Sequence, residues 1–195
     1  MKQFWNDIYS EDEFIYGTEP NDFFKRELAN LSVGNILLPA EGEGRNAVYA
    51  ASKGWAVTAF DYSEAGKTKT MLLAEKNNVK LDYSIADYSN VSFPVKSFDV
   101  IALIYTHTPN WKEIYTKLFQ YLKPNGTLIL ELFNKKQINN SSGGPKDESM
   151  LLSAEEFETL LIDFNQSKIW EDTCDLNVGK YHTGFANILR CIAKK

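Results

Sequence analysis

Little in this chain points away from an ordinary reducing, aqueous setting. Only two of the 195 residues are cysteine. Cys174 and Cys191 are too few for a disulfide framework and lack metal-ligand spacing, so they read as buried or half-buried thiols. No apolar run approaches the roughly 20 residues of a membrane span. The N-terminus carries Asp7, Glu11, Asp12 and Glu13 in place of a basic, apolar leader, so no signal peptide is expected there. Basic residues do not outnumber acidic ones: the net charge is −5, which speaks against a nucleic-acid-binding surface. No internal repeat is present. The expectation is a cytoplasmic protein that holds no metal and has no nucleic-acid or membrane partner.

Against this background one stretch stands out, Leu37-Leu38-Pro39-Ala40-Glu41-Gly42-Glu43-Gly44-Arg45-Asn46-Ala47. An apolar run stops at a proline, two glycines follow, and a helix-period pattern starts at Ala47. That is a strand, a tight turn and a helix start. In an open α/β sheet such a turn lies at the carboxyl end of a strand, where ligands bind. The glycines let backbone approach a ligand closely, and the helix start offers free N–H groups to a carboxylate or phosphate.

The rest alternates. Strands are expected at Asn35–Leu38, Ala56–Phe60, Leu81–Ile85, Phe98–Tyr105 and Thr127–Phe133, with helices at Arg45–Lys53, Ser63–Asn77 and Asn110–Leu122. Such alternation means a mainly parallel sheet with helices on both faces. Before it, Asn21 can cap a short helix to about Asn30, and Trp5, Tyr9 and Tyr16 lie in an aromatic segment that reads as a staple onto the sheet or a lid over a ligand. After it, Gln137 to Asp147 reads as a mobile surface loop. Ser153-Ala154-Glu155-Glu156 is a capping box opening a helix to about Leu161. Ser167–Cys174 and Thr183–Ala193 then read as an antiparallel hairpin at the sheet edge.

Gly42, Gly44 and Ala47 also satisfy the dinucleotide fingerprint, and Asp61 at the end of the second strand can take both hydroxyls of a ribose. Turn and acid suit a nicotinamide or an adenosyl cofactor equally. Asp87 after the third strand can accept from an adenine amino group, and Tyr62 and Tyr88 can flank the ring.

Together these residues resemble the core of a class I S-adenosylmethionine-dependent methyltransferase, over Ile36 to Lys136. The likeness rests on Ala40 to Ala47, Val57 to Ser63, Ala86-Asp87, Phe98-Asp99-Val100 and Leu122 to Leu128. Trp5-Asn6-Asp7-Ile8-Tyr9 and Tyr16-Gly17-Thr18-Glu19-Pro20 further resemble the cap of the small group related to the tellurite-resistance and thiopurine methyltransferases. The resemblance implies a Rossmann-like, doubly wound α/β domain over 1–195. Its seven-stranded, mainly parallel sheet ends in an antiparallel hairpin, with a cap at 1–34, a cofactor core at 35–136 and a C-terminal part at 137–195. It departs from the class at Leu38, where an acid is usual, and at Ala40, where a glycine is usual.

The implied cofactor is S-adenosyl-L-methionine, held by Trp5, Ala40, Glu41, Gly42, Gly44, Asn46, Asp61, Tyr62, Asp87, Tyr88 and Ile104. In this reading the cofactor carboxylate meets the helix start at Gly44–Asn46. The acceptor is a small molecule beside Tyr9, Tyr16, Arg45, Tyr105 and His182. His107 is the candidate base, needed only by an oxygen or nitrogen nucleophile, since a soft sulfur, selenium or tellurium nucleophile needs none. Two rivals stay open: a nicotinamide-dependent oxidoreductase, and a protein that binds S-adenosylmethionine without methylating.

Overall fold

A computed structural model describes residues 2–195. Seven strands form a mixed sheet in the order β3-β2-β1-β4-β5-β7-β6, the Rossmann-like α/β arrangement with a C-terminal antiparallel hairpin. Six α-helices accompany it among the described residues. The chain divides into two compact units, Met1–Ser92 and Phe93–Lys195.

In the first unit, α1 (Lys2–Tyr9) and α2 (Asp22–Leu28) precede β1 (Asn35–Pro39), α3 (Arg45–Ser52), β2 (Ala56–Asp61), α4 (Glu64–Lys76) and β3 (Asp82–Ile85). Strands β1, β2 and β3 pair in parallel, Leu38 opposite Ala59 and Phe60 opposite Ser84. Strand β1 is a near-continuous apolar run because both of its faces are covered. Asn21 caps α2 by accepting from the Phe24 N–H, and Ser63 caps α4 by accepting from Gly66. The buried face of α4 is Gly66, Lys69, Thr70, Leu73 and Ala74, at helical spacing but with a lysine in it.

In the second unit, β4 (Phe98–Ile104) is followed by α5 (Trp111–Phe119), β5 (Leu122–Phe133), α6 (Ala154–Glu158), β6 (Gln166–Val178) and β7 (His182–Lys194). β4 and β5 are parallel, and β7 runs antiparallel between β5 and β6. The capping box at Ser153 and Glu156 forms. Helix α6 is shorter than the sequence suggests, its cap Thr159 being followed by turns.

The segment 137–147, expected as a mobile surface loop, is mostly exposed or half-buried but is tied down at one residue. Gln137 is fully buried and pins it, its amide donating to Ser142 Oγ and Gly143 O while its carbonyl accepts from Asn140 and from the Asn187 N–H. An uncharged side chain with two donors and an acceptor can tie a polar loop together where charge would need solvent.

Candidate active site

The glycine turn is built as the sequence demands. Ala40, Gly42 and Gly44 all have positive φ (49°, 61° and 84°), a left-handed path into α3 that only glycine takes without strain. A side chain at 44 would collide with Thr70. At 42 a β-carbon would lie 2.6 Å from the Tyr9 hydroxyl oxygen. The turn is therefore packed by α1 and α4. The Gly42 carbonyl accepts from the hydroxyls of Tyr83 (2.7 Å) and Thr70 (3.1 Å), neither of which the motif alone points to.

The start of α3 is also occupied. Glu41 Oε1 accepts from the N–H groups of Asn46 (2.9 Å) and Ala47 (2.7 Å). Of the Gly44–Asn46 donors that the sequence reading gave to a cofactor carboxylate, the Asn46 N–H is therefore taken by the chain's own carboxylate. Burial pushes the Glu41 carboxyl up to about 7 against the opposing pull of those N–H groups and of Arg45.

Asp61 ends β2 and is buried. It accepts from Gly42 N–H at 3.2 Å and from Ser63 N–H at 2.8 Å, and burial raises its pKa despite them. The Ala86 N–H donates to the Asp61 carbonyl, which brings Asp87 beyond the end of β3 into the same region. Asp87 Oδ1 closes a turn with Ser89 and Asn90. Tyr88 packs edge-on against Phe60, at 5.7 Å between ring centroids, and burial raises the phenol of half-buried Tyr62.

The remaining side chains of the turn hold the N-terminal segment. Glu43 Oε2 accepts from Ile15 N–H, Asn46 Oδ1 accepts from Asn21 N–H, and Arg45 donates to Tyr16 O. Lys69 bridges Glu43 Oε1 at 2.8 Å and Glu13 O at 2.5 Å. Trp5 stacks on Tyr9 at 5.4 Å and tilts against Tyr16 at 6.4 Å. The first unit thus brings Trp5, Tyr9, Tyr16, Ala40, Glu41, Gly42, Gly44, Arg45, Asn46 and Asp61 together. Sequence reasoning missed Lys69, although a lysine on an apolar helix face was the signal.

In the second unit Ile104 is buried at the end of β4 and Tyr105 follows with φ +56°, a strained conformation for an aromatic residue. Its ring packs on Phe133 (4.7 Å) and His182 (4.8 Å). His107 is closed off. Its Nε2 accepts from the Phe133 N–H at 3.2 Å, so Nδ1 carries the proton and donates to Met150 O at 3.0 Å. Burial lowers its pKa to about 4. With both ring nitrogens engaged, His107 has no lone pair for a substrate proton, and its role as a base is corrected to a structural one.

Among the described residues no group of three or more His, Cys, Asp or Glu side chains is arranged to hold a metal, and no helix is long and apolar enough to cross a membrane.

Residues 36–126, from the start of β1 to the turn within β5, match the family of the methyltransferase domain. The matched residues, a little under half of the chain, are similar to a methyltransferase domain. The match favours the methyltransferase among the alternatives left by the glycine turn. The ubiquinone biosynthesis O-methyltransferase of Rickettsia typhi is 28% identical over 120 residues, which are 59% of this chain and 44% of the relative. The alignment thus spans less than half of that relative. Two solved structures share the fold. A SAM-dependent methyltransferase from Methanosarcina mazei has a TM-score of 0.65 at 20% identity, covering 91% of this chain and 98% of the other. The plantazolicin methyltransferase BpumL, in complex with SAH, has a TM-score of 0.62 at 18% identity, covering 89% and 80%.

The acceptor set of the turn and strand ends suits S-adenosylmethionine. S-adenosylmethionine offers ribose hydroxyls, an adenine amine and an ammonium, all donors. The turn and strand ends present three carboxylates, Glu41, Asp61 and Asp87, as acceptors.

Proposed function

We propose that residues 1–195 act as one methyltransferase domain that transfers the methyl group of S-adenosylmethionine to a hydroxyl of a small-molecule acceptor, in the cytoplasm. The observation that carries this reading is the methyltransferase-domain match over 36–126, which takes in both the glycine turn and Asp61. The hydroxyl acceptor is supported by the O-methyltransferase named among the relatives. A sulfur, selenium or tellurium acceptor is the second reading. It is favoured by the Trp5–Tyr9 and Tyr16–Pro20 motifs and their likeness to the tellurite-resistance and thiopurine group.

In this proposal Asp61 takes the ribose, Asp87 the adenine amine, and Glu41 with the Ala40 carbonyl the ammonium. Trp5, Gly42, Gly44, Asn46, Tyr62, Tyr88 and Ile104 shape the rest of the cofactor site. Tyr9, Tyr16, Arg45, Tyr105 and His182 border the acceptor. When bound, the cofactor supplies an electrophilic methyl on a good leaving group. The chain aligns the acceptor and excludes water, and orientation alone can contribute about 7–11 kcal/mol.

The test is a calorimetric titration of S-adenosylhomocysteine, NADH and NADPH, with a turnover assay on paired hydroxyl and thiol acceptors. Micromolar or tighter retention of S-adenosylhomocysteine, with no heat from the nicotinamides, is expected. Asp61→Ala should weaken it about 10- to 100-fold, the loss of hydrogen bonds to a charged group. Unchanged affinity in that variant would remove Asp61 from the site.

A further inference from the structure

Strand β5 reads Leu128-Ile129-Leu130-Glu131-Leu132-Phe133, an apolar run with one carboxylate in it. Glu131 is 2% exposed. An isolated buried carboxylate is costly, and this one is built in on three sides. Arg190, directly opposite on β7, donates from Nε to Glu131 Oε2 at 2.7 Å. The same guanidinium reaches Asp172 on β6 at 2.9 Å. The other carboxylate oxygen, Oε1, accepts from the Tyr105 hydroxyl at 2.9 Å. Tyr105 is bonded to Glu131 a second time, its N–H donating to the Glu131 carbonyl at 2.8 Å.

Two features set this apart from a plain structural ion pair. The arginine alone would satisfy the charge, yet the phenol is added through a residue whose backbone lies in the left-handed region at φ +56°. Strain of that kind is kept where surrounding contacts over-determine it, and it concentrates at working sites. Moreover, Tyr105 is half-buried whereas Glu131 is sealed, so a proton reaching Glu131 from solvent or ligand has Tyr105 as a bonded intermediary.

We propose that Tyr105 and Glu131 form a proton relay for the methyl acceptor, with Tyr105 as the catalytic residue touching the acceptor hydroxyl and Glu131 as the positioning residue that receives the proton through it. The relay rests on the hydroxyl-acceptor reading above. In the step, the acceptor O–H bond breaks as an oxygen electron pair forms the new bond to the methyl carbon, and the bond from that carbon to the donor sulfur breaks with its pair staying on sulfur, giving a neutral thioether. The acceptor proton passes to Tyr105 Oη as the Tyr105 proton passes to Glu131 Oε1. Glu131 ends as a neutral carboxylic acid, and its proton returns to solvent by the reverse path once product has left. Arg190 holds Oε2 throughout, so the accepting oxygen stays aimed at the phenol. Neighbouring charged and titratable groups are Asp172 and Cys174 on β6 and Arg190 and His182 on β7. His107 is already committed to Met150 and Phe133.

The experiment compares the wild-type protein with Tyr105→Phe on 3,4-dihydroxybenzoate and on 4-mercaptobenzoate, whose aryl thiol ionises in the neutral range and needs no base. S-adenosylhomocysteine affinity is measured by calorimetry on both proteins. A positioned base contributes about 10²- to 10⁴-fold. The expected result is a fall of at least about 100-fold in kcat on the catechol at pH 7, a change under about threefold on the thiol, and S-adenosylhomocysteine affinity within about twofold. The variant should also regain catechol turnover as pH rises and the acceptor ionises by itself, which a structural defect would not produce. Equal losses on both acceptors, or full catechol turnover in the variant, would overturn the relay while leaving hydroxyl methylation standing. A wild-type protein that methylates the thiol and not the catechol would overturn the hydroxyl reading and the relay with it.

Discussion

The hydroxyl oxygen of Tyr9 stands 2.6 Å from where a β-carbon on Gly42 would be. The glycine turn and the N-terminal helix are thus fitted to each other, and Gly42 combines this contact with a φ of 61°. Gly42→Ala should destabilise the protein by about 1–3 kcal/mol, through backbone strain and the displaced phenol ring. Tyr9→Phe in the same background should recover part of the loss, because the first atom met is the hydroxyl. Urea denaturation of the two variants checks both values.

Glu41 titrates in reverse of a surface glutamate. Its carboxyl sits near 7 in the folded chain, raised by burial, against an ordinary value of 4.5. Its contribution to stability is therefore fully present below about pH 4.5 and is lost as pH rises through 7. Glu41→Gln keeps a carbonyl for the Asn46 and Ala47 N–H groups but cannot ionise. The variant should gain on the wild type in melting temperature between pH 5 and pH 8, as thermal melts at pH 5, 6.5 and 8 would register.

His107 has the opposite sign. Held neutral, with a pKa lowered by burial from 6.5 to about 4, it stabilises the fold above pH 6.5, and that contribution is lost as pH falls toward 4. His107→Phe leaves the Phe133 N–H and the Met150 carbonyl without their ring partner. It should cost about 1–3 kcal/mol at pH 7.5 and flatten the acid limb of the stability curve. The pH profile of methyl transfer should keep its shape in this variant, which an assay on any accepted substrate would show.

Lys69 and Glu43 are a buried pair, with side chains 11% and 3% exposed. Removing the cation alone leaves the carboxylate stranded. Lys69→Met should cost about 3–5 kcal/mol, while Lys69→Met with Glu43→Gln should restore much of it. A double-mutant cycle by chemical denaturation measures the coupling, and additive losses would show that the two side chains act independently.

Much of this was legible in the sequence because its signals are local. The glycines at 42 and 44, the caps at Asn21, Ser63 and Ser153 and the alternation of β1 to β5 each depend on a few neighbouring residues. What escaped depends on partners far apart in the chain. The partner of Glu43, Lys69, lies 26 positions away. His107 looked like a base because a lone histidine after a strand says nothing about the Phe133 N–H and Met150 carbonyl that claim its ring. That Glu41 would take the Asn46 and Ala47 N–H groups at the start of α3 also escaped, since its reach forward to them follows from the positive φ of Ala40, Gly42 and Gly44. Glu131 went unremarked as a charge inside an apolar strand, because its meaning needs Arg190 and Tyr105 beside it.

Asn6 of α1 accepts hydrogen bonds from the Ser63 hydroxyl and the Ala65 N–H, so a helix made early in the chain finishes the end of one made some 60 residues later. Such a clasp has few buried atoms behind it, since Tyr9 is the one fully covered side chain of α1. In amide-exchange experiments α1 should therefore lose its protons by a local opening far shallower than that of β1 or β2. Each such excursion bares Gly42 and Gly66 to water while the strands beneath keep their pairing. Access to the turn is then governed by the undocking frequency of one eight-residue helix and not by the lifetime of the sheet.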